Sequence, residues 1–207
     1  MWSFEQSAKA QGYTRIAGID EAGRGPLAGP VVSAAVILPH DFSCKGIDDS
    51  KKLTARQRSM VFPVIRDKAV GLGIGIASPG EIDRINILKA SLLSMKRAVE
   101  DLASGRKESL PDFLLIDGKF TIDMDIQQKA IIKGDSKSIS IAAASIIAKV
   151  TRDDIMEKLH EKYPAYNFIR HKGYPTRAHK QAICDHGPCP VHRFTFKGVK
   201  EFARDSQ

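Results

Sequence analysis

The chain has 207 residues, 43% of them hydrophobic and 27% charged, enough for a globular fold with its own core. Its 32 Lys and Arg against 24 Asp and Glu give a net charge of +8 and a pI near 9.4, which favours a polyanionic partner, nucleic acid before an anionic membrane surface. The longest apolar run, Val31 to Leu38, falls far short of the roughly 20 residues of a membrane-spanning helix. Three cysteines, Cys44, Cys184 and Cys189, are too few for a disulfide framework.

Met1 to Arg15 is polar and mixed in charge, unlike a signal peptide, so a reduced, cytoplasmic setting is expected. Arg15 to Asp20 (RIAGID) reads as a strand closed by the glycines of Glu21 to Gly25. Val31 to Leu38, rich in β-branched residues and bracketed by Pro30 and Pro39, predicts a buried strand. Gly alternates with Leu and Ile over Leu72 to Ala77, which predicts a third strand lying close to a neighbouring backbone. Ser78-Pro79-Gly80-Glu81 opens a helix, with Ser as the cap, Pro in the first position and Glu completing a capping box. A helical pattern resumes after Asn86, over Ile87 to Leu102. Phe113 to Ile116 predicts a fourth, buried strand ending at Asp117-Gly118, and Ala130 to Lys133 a short fifth before Gly134-Asp135. Ser140 to His160 predicts a long helix, and Thr176 to Asp185 a last one stopped by Gly187. Strands first, with helices between and after them, predict a single α/β domain whose sheet is covered by helices.

In such sheets functional groups gather where strands end in turns, and Asp20, Glu21, Asp117 and Asp135 all stand at such ends. Hard divalent cations require converging oxygen ligands. Two Mg²⁺ or Mn²⁺ ions roughly 4 Å apart generate a hydroxide and stabilise the charge that builds on a phosphodiester. Turn acids and helix N-caps produce the same spacing, so the pattern alone leaves both readings open. Strand alternation also points Asp20 and Glu21 to opposite faces, which makes Asp20 the firmer ligand unless the Ala22-Gly23 turn twists the strand end. Asp48-Asp49, Asp123 with Asp125, and Asp153-Asp154 fall in polar loops or on a helix face and read as solvated.

Gly23-Arg24-Gly25-Pro26-Leu27-Ala28 formally matches the dinucleotide fingerprint, but that motif needs a helix next, and here Pro26 and Pro30 lead into another strand. What remains is a loop whose backbone can come close to a sugar or phosphate. No Walker A, H-E-x-x-H or G-x-S-x-G motif is present. Basic residues cluster over Lys45 to Arg58 and Arg170 to Lys200. Among the basic residues Arg24, Lys51, Lys52 and Lys149 are candidate phosphate contacts, although most individual lysines simply solvate a surface. Tyr174 either stacks on a sugar or base or packs. Cys184, His186, Cys189 and His192 lack the paired spacing of a structural zinc site, and the thiols are expected to be buried or in loops.

Several segments then fall into one ordered set. Gly18 to Val31 (GIDEAGRGPLAGPV), Asp49-Ser50-Lys51-Lys52-Leu53, Ile116-Asp117-Gly118 and Lys133-Gly134-Asp135-Ser136 are followed by Ser140 to Asp153 (SIAAASIIAKVTRD). His171-Lys172-Gly173-Tyr174 and His192-Arg193 complete the series, which spans nearly the whole chain. Together they resemble the signature of bacterial ribonuclease HII. The resemblance implies a ribonuclease H-like fold, a mixed sheet of roughly five strands flanked by helices, with a helical C-terminal part beyond His160. It implies that Asp20, Glu21, Asp117 and Asp135 are the catalytic, metal-binding set. It also implies that the Gly23-Arg24-Gly25 loop reads the ribose 2′-hydroxyl and that Tyr174 packs at the junction between ribonucleotide and deoxyribonucleotide. The implied activity is Mg²⁺- or Mn²⁺-dependent hydrolysis of the RNA strand of RNA–DNA hybrids, and of single ribonucleotides embedded in duplex DNA. Cutting falls 5′ of the ribonucleotide and leaves a 3′-hydroxyl and a 5′-phosphate. Pro175 departs from the family, where Gly is commoner, and a monomer is expected.

Overall fold

The computed structural model describes residues 1–44, 47, 53–105 and 110–202, so Asp48, Asp49, Lys51 and Lys52 lie outside the described residues. Five strands pair into one sheet: β1 (Ile16–Ala22), β2 (Val31–Ile37), β3 (Gly71–Ala77), β4 (Phe113–Asp117) and β5 (Gln127–Ile131), in the order β3-β2-β1-β4-β5. The β1–β2 and β2–β3 pairs are antiparallel and the β1–β4 and β4–β5 pairs parallel, which is the mixed sheet expected.

Side chains alternate across each strand, and the alternation sorts the apolar residues onto two covered faces. On one face Ala17, Ile19, Leu114 and Ile116 meet Met95, Ala98, Val99 and Leu102 of α4 (Ile87–Gly105). On the other, α5 (Ile139–Lys162) covers Ala34 and Val36, with Val61 and Ile65 of α2 (Ala55–Lys68) beside it. There too α1 (Ser3–Ala10) places Ala8 over Ile16, Phe113 and Leu115. The first half of α5 is apolar nearly all round because sheet and helices enclose it.

The glycines of β3 have the cause expected of them. A Cβ on Gly73 would overlap the carbonyl oxygen of Ala98, and one on Gly75 that of Ser94, because the backbone of α4 rests directly on the strand. Gly75→Ala is therefore expected to force helix and sheet apart at a cost of about 3 kcal/mol. Thermal denaturation reads the effect, and a parental midpoint would contradict this packing.

Local signals account for most element ends. α3 (Pro79–Ile85) begins with the expected capping box, Glu81 accepting from the Ser78 N–H at 2.9 Å. Asn86, with φ 68, breaks the run, and its Oδ1 accepts from the amides of Leu88 and Lys89 to start α4. α1, α2 and α6 (Phe168–His171) were not foreseen. α2 carries its own capping box, Thr54 with Gln57, but the internal Pro63 obscures its pattern. The fifth strand also needs correcting: it runs over Gln127–Ile131 rather than Ala130 to Lys133. Lys133 turns left-handed at φ 56 and ends it, and its polar start reflects its place at the sheet edge.

The C-terminal part is helical, as expected, with α6 and α7 (Arg177–His186) gathered around Phe168, Ile183 and Val199. Met156 of α5 and Leu27 and Ala28 of the β1–β2 connection join the same cluster. His179 and His192 are buried in this part, and burial pushes both imidazoles down to about 4. A histidine held below its unfolded value, near 6.5, contributes its full stability above that value, and the contribution is lost as pH falls toward 4. Both rings are therefore expected to give the NMR signals of neutral imidazole at about pH 5.5. Titration of either ring near its unfolded value would contradict this burial.

Candidate active site

The acids gather at one end of the sheet. β4 pairs with β1 only as far as Ile19↔Ile116, whereas β1 continues to Ala22 against β2. Asp20 and Glu21 thus stand on a stretch of β1 that has outrun its parallel neighbour. The Glu21 N–H donates to the Asp20 carboxylate at 2.7 Å, and a hydrogen bond from Ser145 of α5 steadies the same group. Asp117 ends β4, and its Oδ1 accepts the Gly134 N–H at 2.6 Å. That contact ties it to the Gly134–Ser136 turn, which carries Asp135, only 1% exposed.

Electrostatics links three of the four directly. Burial, then the charges of Glu21 and Asp117, push the Asp20 carboxyl well above the usual carboxylate range. Burial also raises Glu21, opposed by Arg24 and reinforced by Asp117. The alternation objection to Glu21 is reduced by position: Ser145, which hydrogen-bonds Asp20, also lines the cleft beside Glu21. Glu21 Oε1 pairs with Arg24 at 3.3 Å, while Oε2 is buried without a hydrogen-bond partner among the described residues. A crowded all-oxygen set with an open acceptor fits a hard divalent cation. Among the described residues, no three Asp, Glu, His or Cys side chains already form a metal-holding group; like charges repel until something neutralises them.

Beside Glu21 opens a cleft of about 390 Å³ lined by Gly23, Arg24, Gly25, Arg58, Lys149 and Tyr174. Every expected substrate-reading residue among the described residues therefore meets there, together with Arg58 from the first basic cluster. Tyr174 is 43% exposed, and a Cβ on Gly25 would stand 3.7 Å from its ring. Lys149 pairs with Asp153 at 2.7 Å, which corrects the reading of Asp153 as merely solvated. Asp123, Asp125 and Asp154 are exposed, as expected.

Two arginines build the loop. Arg193, fully buried, donates to the carbonyls of Gly23, of Arg24 at 3.0 Å, and of Gly29 at 3.0 and 2.9 Å. Arg152 holds the carbonyls of Pro30, Ala28 and Lys172 at 3.0 to 3.1 Å. Gly23 takes φ 105, and a Cβ there would overlap the Arg152 guanidinium. Both guanidiniums spend their hydrogen bonds on backbone carbonyls, with the charges of Asp153 and Asp83 acting on Arg152 and Arg193 respectively. Burial and the neighbouring Arg152 charge bring Arg193 down to about 9. The carbonyls of Gly23 and Arg24 are turned toward Arg193 on the protein side of the loop. Both arginines lie within the motif segments, but spacing did not reveal their role. The zinc-like residues do not assemble: His192 spends its nitrogens on His179 and Cys189, and Cys184 is exposed on α7 rather than buried or in a loop.

A mixed sheet with carboxylates at the ends of its two central strands, backed by α5, defines a nuclease of the ribonuclease H class. The sequence matches the ribonuclease HII family model over residues 17–199. It is similar to the ribonuclease HII of Acetivibrio thermocellus, 56% identical over 95% of this chain and 75% of that one. The ribonuclease HII of Geobacter sulfurreducens is 53% identical over 100% of this chain and 93% of its own. Among solved structures, ribonuclease H2 from Pyrococcus horikoshii OT3 superposes with a TM-score of 0.73 at 28% identity, covering 93% of this chain and 98% of that one. The chain belongs to the ribonuclease HII family, and it is a hydrolase with the ribonuclease H-like fold.

Proposed function

We propose that the protein hydrolyses the RNA strand of RNA–DNA hybrids and cuts duplex DNA 5′ of a single embedded ribonucleotide. The products carry 3′-hydroxyl and 5′-phosphate ends. Asp20, Glu21, Asp117 and Asp135 hold the divalent cations, two Mn²⁺ or Mg²⁺. The observation that carries this reading is the crowding of Asp20, Glu21 and Asp117 next to the Gly23–Gly25 loop and Tyr174. Bound cations supply the activation of water and the neutralisation of phosphate charge.

The chain's own residues supply selection. The 2′-hydroxyl is the one group that marks a ribonucleotide in DNA, and in this reading the backbone of Gly23, Arg24 and Gly25, which lines the cleft beside Glu21, receives it. Arg24, Arg58 and Lys149, which line the cleft, contact phosphates and set the register, a role the sequence motif extends to Lys51 and Lys52. Tyr174 stacks on the sugar or base at the junction. The protein acts as a monomer in the cytoplasm.

A duplex with one ribonucleotide in an otherwise DNA strand tests this. Cleavage 5′ of that nucleotide is expected with Mn²⁺ or Mg²⁺, and none with EDTA. Equal cutting of the all-deoxy duplex would leave a general nuclease instead.

A further inference from the structure

Tyr174 is tied to a chain of buried histidines whose protons can be placed. The Nε2 atoms of His179 and His192 lie 3.0 Å apart, so one donates and the other accepts. Their remaining nitrogens decide which. His192 Nδ1 lies 3.0 Å from the Cys189 N–H, which can only donate, so Nδ1 accepts and Nε2 carries the proton. His179 Nδ1 lies 3.0 Å from the Tyr174 carbonyl, which can only accept, so Nδ1 carries the proton. The assignments agree with both rings neutral: Cys189 donates to His192, His192 to His179, and His179 to Tyr174.

The alternative has His192 donate from Nδ1 to the Cys189 carbonyl at 3.2 Å. His179 would then donate from both nitrogens and carry a charge in a buried site, bonded to no carboxylate. His171 supports the same segment, with Nε2 2.7 Å from the Tyr166 carbonyl and Nδ1 3.2 Å from the Gly173 N–H. Its ring stacks on His179 at 4.4 Å and 18°. The Tyr174 N–H donates to the His171 carbonyl at 2.8 Å, and its carbonyl also accepts from Thr176 at 2.8 Å. The tyrosine's backbone is thus pinned while its ring faces the cleft.

We propose that His179, backed by His192, is the positioning residue that sets Tyr174 against the Gly23–Gly25 loop and so sets the preference for a single embedded ribonucleotide over a long hybrid. This rests on the reading of Tyr174 as the junction residue. The ring works within a few ångströms of Gly25, and fixing its two side-chain torsions does not fix its place unless the backbone is held as well. Neither histidine lines the cleft; each acts through Tyr174.

The test compares kcat/KM on a single-ribonucleotide duplex with kcat/KM on a hybrid whose one strand is all RNA. Parent, Tyr174→Ala, His179→Leu and His179→Asn are compared; Asn keeps an N–H near the place of Nδ1–H. Tyr174→Ala and His179→Leu are each expected to lower the ratio about tenfold, and His179→Asn to stay within about threefold of the parent. Nitrogen-15 spectra of the parent's imidazoles are expected to show His179 protonated at Nδ1 and His192 at Nε2. If His179→Leu keeps the parental ratio while Tyr174→Ala changes it, the positioning role falls and the reading of Tyr174 stands. If Tyr174→Ala leaves the ratio unchanged, the reading of Tyr174 falls and takes the selectivity role with it. Should His179→Leu not fold, the spectra decide, and the opposite protonation would overturn the proposal.

Discussion

Asp20→Asn and Asp117→Asn are each expected to lower turnover on a ribonucleotide-containing duplex at least about 10³-fold, roughly 4 kcal/mol of barrier. Hybrid binding is expected to stay within about threefold, because its strength comes from phosphate contacts. The substitution keeps size and an acceptor oxygen, so the amide oxygen introduced by Asp20→Asn still receives the Glu21 N–H that the Asp20 carboxylate now accepts. What it removes is one of the charges that crowd this corner of the sheet. Without added cation the thermal midpoint of Asp20→Asn is therefore expected to equal or exceed the parent's. The gain in midpoint on adding Mn²⁺ should shrink, since ligand linkage stabilises only a fold that binds. Parental turnover in either variant would remove that residue from the catalytic set.

Arg193→Ala carries the largest stability effect we expect. It strips hydrogen bonds from the carbonyls of Gly23, Arg24 and Gly29 at once and opens a void in a fully buried position. A loss of about 3 to 5 kcal/mol follows, or roughly 6 to 20 °C in midpoint for a chain of this size. Arg193→Lys keeps the charge but presents its donors at one point, not across a planar fork. It is expected to fold with a smaller loss and to discriminate poorly between ribose and deoxyribose, because the loop is no longer held. Differential scanning fluorimetry and paired cleavage rates check both; a parental midpoint for Arg193→Ala would contradict the buttress.

How much of this was legible in the chain depends on the range of each interaction. The capping box at Ser78, the apolar run of β2 and the glycines of β3 are local signals, and each element formed where expected. β5 and α2 were harder because an edge strand needs no apolar run and an internal proline hides a helix. The strand-end acids could be found by position, which also set them apart from Asp153 on its helix face. The i,i+4 spacing of Lys149 and Asp153 on that helix is a local signal for their ion pair that the reading of Asp153 as solvated passed over. Arg193 and Arg152 were beyond reach for a plainer reason: they grip carbonyls more than 100 residues away for the loop side of their contacts. The histidines looked like a failed zinc set, and only the meeting of α7 with the Cys189–His192 turn shows them to be a hydrogen-bonded relay.

The claim that the strand-end acids hold the catalytic cations is tested most directly by anomalous diffraction from crystals soaked in Mn²⁺. Anomalous peaks are predicted in contact with the carboxylates of Asp20 and Asp117, and their loss in the Asp20→Asn protein. Mn²⁺ bound elsewhere in the parent, with no peak on these acids, would contradict it.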